Sequence, residues 1–270
     1  MSPFVDDKSP HCIPFILERL KLHQRKYGGD QHPPPFFVGI NGIQGVGKTT
    51  LVSALCSTLR SPPYNLPTVV LSIDDFYLPH EEQLELARHH PQNPLIQHRG
   101  EPGTHDLVLA QSTFQALAEQ KFTKIPSYDK SAFDGQGDRT DPSTWAQVNR
   151  AGENPVQVII FEGWCVAFRA IPSSELKAKW EDAVRRAAKN EGQGTLGKHQ
   201  LNNLEFVNER LKDYDHLTDQ LDALIHLDAT DTRFVYDWRL QQEAALRLSK
   251  GVGMTDEEVI KFVDGCNDSD

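Results

Sequence analysis

Four short runs of consecutive apolar residues recur along the chain. The first is FFVGI at residues 36–40, and similar runs follow at 68–73, 156–161 and 222–227. Runs of this length are typical of strands that are buried on both faces of a parallel sheet. The pattern therefore predicts four buried strands.

Stretches typical of helices lie between and after these runs. They cover residues 49–60, 80–90, 106–120, 173–189, 201–217 and 232–250. Strands that alternate with long helices indicate βαβ crossovers, so the predicted fold class is α/β with a doubly wound parallel sheet. Asp106 and Thr255 are predicted helix N-caps, and Glu258 follows Thr255 at the spacing of a capping box.

An amphipathic segment precedes the first predicted strand. Residues 12–27 place Ile16, Leu20 and Tyr27 on roughly one face of a helix, and the GGDQHPPP segment after them is typical of a linker. We predict an N-terminal accessory helix that acts as a lid or as a brace. Two irregular stretches, residues 91–105 and 126–155, are long for loops in a compact domain, which favours a functional role for them.

Composition and charge narrow the class of protein. The 270 residues suit one large α/β domain or at most two folding units. Asp and Glu outnumber Lys and Arg by 38 to 28, and the net charge of −10 disfavours nucleic acid as a main partner. No apolar run approaches the length of a membrane span, so we expect no membrane partner, and the polar, acidic start is unlike a signal peptide.

The spacing of the cysteines indicates the kind of cellular compartment in which the protein is expected. Cys12, Cys56, Cys165 and Cys266 are far apart and lack zinc-site spacing. We interpret them as free thiols in a reducing compartment and expect a cytosolic protein, with the nucleus as an open alternative.

A phosphate-binding loop is the strongest motif in the chain. Gly42, Gly47, Lys48 and Thr49 fit the G-x-x-x-x-G-K-[ST] pattern, directly after a predicted strand and at the start of a predicted helix. Glycines let backbone N–H groups turn inward around phosphates, the lysine reaches the β- and γ-phosphates, and the threonine hydroxyl binds Mg²⁺. The predicted nucleotide-binding residues are Gly42, Ile43, Gln44, Gly45, Val46, Gly47, Lys48, Thr49 and Thr50.

The remaining motifs favour one class of phosphate-loop protein. Switch GTPases need an NKxD-type guanine reader, which the sequence lacks, and motor ATPases and helicases usually end the second acidic strand with Asp-Glu. Here the strand VIIF ends in Glu162 followed by Gly163. A carboxylate at this strand end is predicted to hold Mg²⁺ directly or through water, and an exposed turn carboxylate is the alternative.

Two adjacent carboxylates follow the second predicted strand. Asp74 and Asp75 stand in the segment SIDDFY. A small-molecule kinase needs a carboxylate that orients the acceptor hydroxyl and takes its proton late in the transition state. Asp74 is our first choice for this base and Asp75 our second, and a turn that simply favours Asp is the alternative.

Taken in order, these segments resemble the glycerate kinase family. The motifs that carry the resemblance are GIQGVGKTT (42–50), S-x-DDFY (72–77), RGEPGTHD (99–106), PSYDKSAFDGQGDR (126–139), FEGW (161–164), WRLQQE (238–243) and GMTDEEV (253–259). The family comprises plant-type D-glycerate 3-kinase and fungal ATP-dependent kinases, and it is related to uridine kinase, phosphoribulokinase and pantothenate kinase. The resemblance implies a sheet of the P-loop NTPase type with a helical lid. It divides the chain into an N-terminal helix and linker (residues 1–35), a P-loop kinase domain (36–264) and a short divergent or truncated tail (265–270).

The resemblance also implies roles for single residues. Lys48 and Thr49 would hold the phosphates and Mg²⁺, Asp74 would face the acceptor hydroxyl, and Glu162 would lie near the metal. Tyr128 and Asp129 would contact the acceptor. Arg239 matches the lid, whose arginines close over the transferring phosphate, although an ion pair with Glu243 four residues on is its alternative.

A small anionic acceptor such as glycerate needs cationic or N–H partners. Arg99, His105, Lys130 and Arg139 stand in the two long loops, and with Asp75 they complete the predicted acceptor site. Each is alternatively a solvated loop charge, and His105 alternatively makes a hydrogen bond within the loop.

We therefore predict an ATP-dependent kinase with ATP and Mg²⁺ as cofactors, which transfers the γ-phosphoryl group to a hydroxyl of a small metabolite. D-glycerate is the leading acceptor, and another polyol, sugar acid or nucleoside is the alternative. The chain ends earlier than the family pattern, at VDGCNDSD. Two further alternatives are a nucleotide-binding protein without turnover and an ATPase that drives a conformational change.

Overall fold

The computed structural model describes residues 8–28, 33–43, 46–189 and 195–228, together with positions 240, 243, 244, 247, 255–257 and 259. The helices with stated bounds are α1 (Ser9–Lys26), α2 (Lys48–Arg60), α3 (His80–His89), α4 (Leu107–Ala118), α5 (Ser173–Ala188), α6 (Leu201–Leu211) and α7 (Asp215–Thr218). The strands are β1 (Phe36–Gly42), β2 (Thr68–Ser72), β3 (Thr123–Ile125), β4 (Tyr128–Asp129), β5 (Asp138–Arg139), β6 (Ala146–Val148), β7 (Val158–Glu162) and β8 (Ala223–Leu227). Short 3₁₀ turns cover Ile73–Phe76, Pro94–Ile96, Leu196–Lys198 and Lys212–Tyr214.

The four predicted strands form one parallel sheet. Its order is β2-β7-β1-β8 within the described part of the chain. All seven residues of β1 are buried, because both faces of this inner strand are covered. The predicted α/β class with a parallel sheet is confirmed.

Helices cover the sheet on both faces, as expected for a doubly wound fold. On one face, Phe37 and Ile159 pack with Phe114 of α4 and Leu217 of α7. On the other face, side chains of α1 and α2 pack against β1 and β7, among them Ile16, Leu55, Val38 and Ile160. Successive residues of β1 point to opposite faces, so Phe37 and Val38 join different cores.

Helix α1 is fastened to the sheet by a polar network at its end. The buried His23 places Nδ1 3.0 Å from Asp222 Oδ1, and its Nε2 lies 2.9 Å from the carbonyl oxygen of Pro34. Asp222 Oδ2 accepts the backbone N–H of Phe37 at 3.0 Å. These contacts join α1 to the linker and to the region of β1 and β8, which is the behaviour of a brace. Tyr27 does not share the buried face, because it follows the end of α1 and is 43% exposed.

Two predicted elements differ from the structure, and a third is largely untested. The stretch 126–155, predicted as an irregular loop, contains the strands β4, β5 and β6. Strand β4 pairs with β5 and β6 pairs with β3, both antiparallel. The single helix predicted at 201–217 is divided into α6, the 3₁₀ turn Lys212–Tyr214 and α7. The predicted helix at 232–250 and the lid lie largely outside the described residues.

Of the two predicted helix caps, one is confirmed. Asp106 Oδ1 accepts the backbone N–H of Leu109 at 2.9 Å, at the start of α4. Thr255 precedes helical residues at 256 and 257, but Glu258 lies outside the described residues, so this capping box stays a prediction. Among the described helices, none is both long enough and apolar enough to cross a membrane.

Candidate active site

The phosphate loop connects the end of β1 to the start of α2, at the carboxyl edge of the sheet. Gly47 has a φ of +89° and directly precedes Lys48, the first residue of α2. Gly42 has a φ of +154°, and a Cβ atom added there would lie 2.4 Å from the carbonyl oxygen of Leu227 on β8. Glycine is therefore required at position 42 by the neighbouring strand as well as by the turn.

The first turn of α2 offers backbone N–H groups to an anion. Among the described residues no side chain caps this helix, and the N–H of Leu51 is the donor to Gly47. Free N–H groups at the start of a helix attract phosphate oxygens. The end of β1, the phosphate loop and this turn together carry the predicted nucleotide-binding residues Gly42, Ile43, Val46, Gly47, Lys48, Thr49 and Thr50, whereas Gln44 and Gly45 lie outside the described residues.

Lys48 folds back over the loop. Its Nζ donates to the carbonyl oxygens of Gly42 at 2.5 Å and Ile43 at 2.9 Å. Burial lowers the pKa of Lys48, and the negative charges of Glu162 and Asp74 oppose this shift. The ammonium group thus lies within electrostatic reach of the two acids that the sequence assigns to the metal and to the acceptor.

Glu162 is the last residue of β7, at the middle of the carboxyl edge. In the ladder it pairs with Ile40 of β1 and with Ser72 of β2. Burial raises the pKa of Glu162, while a hydrogen bond with Ser72 acts in the opposite direction. Thr49 stands exposed in the first turn of α2.

The donor chemistry of this edge fits a magnesium ion that is bound with its nucleotide. Carboxylate and hydroxyl oxygens, such as those of Glu162 and Thr49, are ligands that Mg²⁺ prefers. The described residues contain no group of three or more His, Cys, Asp or Glu side chains that could hold a metal ion. An ion held by Glu162 and Thr49 would therefore take most of its ligands from phosphates and water, as Mg²⁺ commonly does in kinases.

Asp74 lies in the 3₁₀ turn that follows β2. Its Oδ2 is 2.6 Å from Lys130 Nζ, and the hydroxyl of Tyr77 donates to its carboxylate. Burial alone would raise the pKa of Asp74, but the charge and hydrogen bond of Lys130, with smaller effects of His105 and Tyr77, together lower the pKa. The carboxylate is thus held in its ionised form beside the phosphate loop.

The adjacent Asp75 faces a different partner. Its Oδ1 accepts the backbone N–H of Tyr128 at 3.1 Å, which ties the start of β4 to the 3₁₀ turn. Burial raises the pKa of Asp75 to about 6, against the effect of this hydrogen bond. The two neighbouring carboxylates therefore have opposite pKa shifts, and Asp75 supports the hairpin that carries Lys130.

The β4–β5 hairpin brings two of the predicted acceptor residues side by side. Tyr128 and Arg139 are partners in the ladder. Arg139 makes an ion pair with Asp106 at 3.0 Å and donates to the carbonyl oxygen of Tyr77 at 3.1 Å. Within the described residues, Arg139 Nε and Tyr128 Oη are buried without a hydrogen-bond partner.

Arg99 is occupied by the hairpin loop. It donates to the carbonyl oxygens of Gly135, at 2.7 Å, and Gln136, and its guanidinium lies 5.7 Å from the centre of the Tyr128 ring. Gly137 has a φ of +84°, and a Cβ there would lie 2.5 Å from Tyr128. Through these contacts Arg99 holds the loop that connects β4 to β5, which begins at Lys130.

Asp129 and His105 occupy contrasting environments. Asp129 is exposed and accepts the N–H and hydroxyl of Ser131, at 2.9 and 2.6 Å. His105 is buried and its ring stacks on Tyr77 at a centroid distance of 4.5 Å. Burial lowers the pKa of His105 to about 4, so the ring is neutral at ordinary pH. Its hydrogen-bond partner is Tyr214, a distant residue rather than one of its own loop.

The structure brings most of the predicted site residues to one edge of the sheet. Lys48, Asp74, Glu162 and Lys130 lie within mutual electrostatic reach. The predicted catalytic residue Arg239 lies outside the described residues, so its role stays a prediction. Sequence reasoning missed Tyr214, which carries no local motif, and it quoted Tyr77 only as part of SIDDFY.

Comparison with known proteins gives close relatives along most of the chain. The uncharacterized kinase mug58 of Schizosaccharomyces pombe is 43% identical over 231 residues, which cover 85% of this chain and 77% of that protein. The chloroplastic D-glycerate 3-kinase of Arabidopsis thaliana is 38% identical over 261 residues, or 94% of this chain, but the match spans only 51% of that longer protein. No protein-family model matches the chain.

Among solved structures, a D-glycerate 3-kinase from Cryptococcus neoformans superposes with a TM-score of 0.86. It is 31% identical in sequence, and the match covers 98% of this chain and 88% of that one. Identity at this level, over most of the length of both proteins, establishes common descent as well as a common fold. The chain therefore belongs to the glycerate kinase family and is an ATP-dependent kinase of the P-loop type.

Proposed function

We propose that this kinase transfers the γ-phosphoryl group of MgATP to a hydroxyl of a small hydroxy acid, with D-glycerate as the leading acceptor. The observation that carries the proposal is the pair formed by Asp74 and Lys130, 2.6 Å apart beside the phosphate loop. The carboxylate of Asp74 can accept a hydrogen bond from the hydroxyl of such an acceptor, and the adjacent ammonium group of Lys130 can pair with the carboxylate of the acceptor.

The phosphate loop and Lys48 bind the nucleotide. Backbone N–H groups at the start of α2 hold phosphate oxygens, and the Nζ of Lys48 exchanges its carbonyl partners for the β- and γ-phosphates. Thr49 and Glu162 would hold the magnesium ion, which would supply charge neutralisation at the phosphates.

Asp74 orients the acceptor hydroxyl and accepts its proton as transfer proceeds. Its lowered pKa supports this role, because a loose transition state needs an ionised carboxylate that takes the proton late rather than a strong base. Positioning and charge neutralisation supply most of the rate enhancement in this kind of reaction.

The polar groups of the β4–β5 hairpin and of the neighbouring His105 favour an anionic acceptor. Three nitrogen atoms can donate hydrogen bonds here: Lys130 Nζ, Arg139 Nε and, when it carries the ring proton, His105 Nε2. The last two are buried and lack a partner among the described residues. A neutral polyol has no need of such a surplus of donors, whereas a carboxylate satisfies several of them. The names of the plant and fungal relatives, D-glycerate 3-kinases, support the same choice.

The experiment is acceptor-dependent release of ADP by the purified chain with MgATP. D-glycerate is compared with glycerol, which replaces its carboxylate by a hydroxymethyl group, and then with other sugar acids and nucleosides. We expect release with D-glycerate and none with glycerol. Equal release with glycerol or a nucleoside would refute the hydroxy-acid proposal, and equal release without any acceptor would indicate an ATPase.

A further inference from the structure

A buried hydrogen-bonded network joins His105 to a residue far along the chain. Tyr214 lies in the 3₁₀ turn after α6 and is 3% exposed, while His105 is 5% exposed. The hydroxyl oxygen of Tyr214 lies 2.7 Å from His105 Nδ1 and accepts the backbone N–H of Gly103 at 2.9 Å. The same loop, residues 91–105, therefore contacts this hydroxyl twice.

The direction of these bonds follows from the chemistry of the three groups. The N–H of Gly103 can only donate, so the tyrosine oxygen is its acceptor. Burial raises the pKa of Tyr214 well above its usual value, so the hydroxyl keeps its proton. The acceptor that the described residues offer to this proton is His105 Nδ1. If Nδ1 carried a proton instead, the hydroxyl proton would be buried without an acceptor, which is costly.

The protonation of the imidazole follows in turn. In a neutral histidine, one ring nitrogen accepts and the other carries the proton. With Nδ1 accepting from Tyr214, the proton is on Nε2. This N–H is buried and has no hydrogen-bond partner among the described residues.

The surroundings of His105 indicate what this donor is for. Its ring stacks on Tyr77, whose hydroxyl binds the carboxylate of Asp74, and the charge of Asp74 acts directly on His105. Tyr77 also lies edge-on to Tyr128 of the hairpin, at 5.5 Å between ring centres. The unpartnered N–H is thus in the cluster that surrounds the candidate base.

We propose that Tyr214 is a positioning residue that fixes the Nε2–H tautomer of His105, and that this N–H donates to an oxygen of the acceptor substrate. The proposal rests on the function proposed above for the identity of the acceptor. The tautomer itself is a property of the free protein and is tested without turnover.

The first measurement is NMR of protein labelled with nitrogen-15 in its histidine rings. We expect the His105 resonances to report a protonated Nε2 and an unprotonated Nδ1 in the wild type, and D-glycerate added with a non-hydrolysable ATP analogue to shift the Nε2 resonance. His105→Gln identifies the signals. A proton on Nδ1 would overturn the proposal, as would an Nε2 resonance that does not respond to the acceptor that the ADP-release panel identifies.

The second measurement uses Tyr214→Phe, with Tyr64→Phe as the matched control in the loop after α2. Without the Tyr214 hydroxyl, the ring proton of His105 is no longer confined to Nε2. We therefore expect the KM for the acceptor to rise about tenfold, while kcat and the KM for MgATP stay within about twofold. A structural role alone would lower thermal stability without this split. Equal KM values in the two variants, with an unchanged His105 tautomer, would overturn the proposal.

If Tyr214→Phe fails to fold, the wild-type spectra decide. If D-glycerate is not phosphorylated, the tautomer result still stands, so failure of the proposed function is distinguishable.

Discussion

Lys130 Nζ and Asp74 Oδ2 lie 2.6 Å apart, so the candidate base is already engaged by a cation of the β4–β5 hairpin. An acceptor hydroxyl must share Asp74 with this ammonium group. If the acceptor is a hydroxy acid, its carboxylate provides the new partner for Lys130. The pair therefore links the fold of the hairpin to the chemistry of the base.

Lys130→Ala tests this link. We expect the KM for D-glycerate to rise at least about tenfold, because the acceptor carboxylate loses a charged partner. Lys130 also lowers the pKa of Asp74, so its removal weakens the opposition to burial and raises that pKa. The acid limb of the kcat/KM profile then moves to higher pH. Steady-state kinetics across pH measure both effects, with Lys121→Ala as the exposed control. An unchanged acid limb would remove Lys130 from the neighbourhood of the base in solution.

Lys48→Ala tests the phosphate loop. A ligand that binds only the folded state stabilises it by about 2.7 kcal/mol at one hundred times its Kd, so MgATP should raise the melting temperature of the wild type by several degrees. We expect Lys48→Ala to lose this shift and Lys21→Ala, exposed on α1, to keep it. Differential scanning fluorimetry measures the effect. A wild-type shift in Lys48→Ala would contradict the assignment of the loop to the nucleotide.

Glu162→Gln tests the metal site. An amide is a weaker ligand for Mg²⁺ than a carboxylate, so we expect half-maximal turnover to need about tenfold more Mg²⁺ at saturating ATP. Glu175→Gln, exposed on α5, serves as the control. A titration of initial rates against free Mg²⁺ measures the requirement. If Glu162→Gln has the wild-type requirement, Glu162 is not a ligand and is not hydrogen-bonded to one.

His23→Ala tests whether α1 is a brace. Loss of the contacts to Asp222 and Pro34 should lower the free energy of unfolding by about 1–3 kcal/mol, because Asp222 is left with one partner fewer. We expect kcat to stay within about twofold, since the partners of His23 precede β8 and β1, at the edge of the sheet opposite the candidate site. Urea denaturation and initial rates measure the two quantities, with the exposed His11→Ala as control. A large fall in kcat with unchanged stability would indicate a lid instead.

The inner strands of the central sheet were predictable because they are buried. Strands such as β1 and β7 are covered on both faces, so they appear in the sequence as continuous apolar runs. The two-residue strands β4 and β5 were not predictable, because a pattern with a period of two needs more residues to be recognised. The break between α6 and α7 was missed for a related reason, since the apolar pattern continues through the 3₁₀ turn that separates them.

The candidate site was predictable where its residues stand in motifs and not where they meet through space. Lys48 and Asp74 follow strands and Glu162 ends one, so the parallel topology brings them to one edge. The different roles of Asp74 and Asp75 depend on the 3₁₀ turn. It points Asp74 toward Lys130 and Asp75 toward the backbone N–H of Tyr128. His105 and Tyr214 are 109 positions apart, and only the folded chain reveals their contact.

The most direct test of the central claim is transfer of label from γ-labelled ATP to D-glycerate by the wild type and by Asp74→Asn. The amide keeps the size of the side chain but cannot accept the proton of the acceptor hydroxyl, so we predict labelled phosphoglycerate from the wild type and a rate about 10²- to 10⁴-fold lower from the variant. MgATP should still stabilise the variant against heat. Wild-type transfer by Asp74→Asn would contradict the assignment of the base, and a wild type that binds MgATP but labels no acceptor would contradict the proposed function.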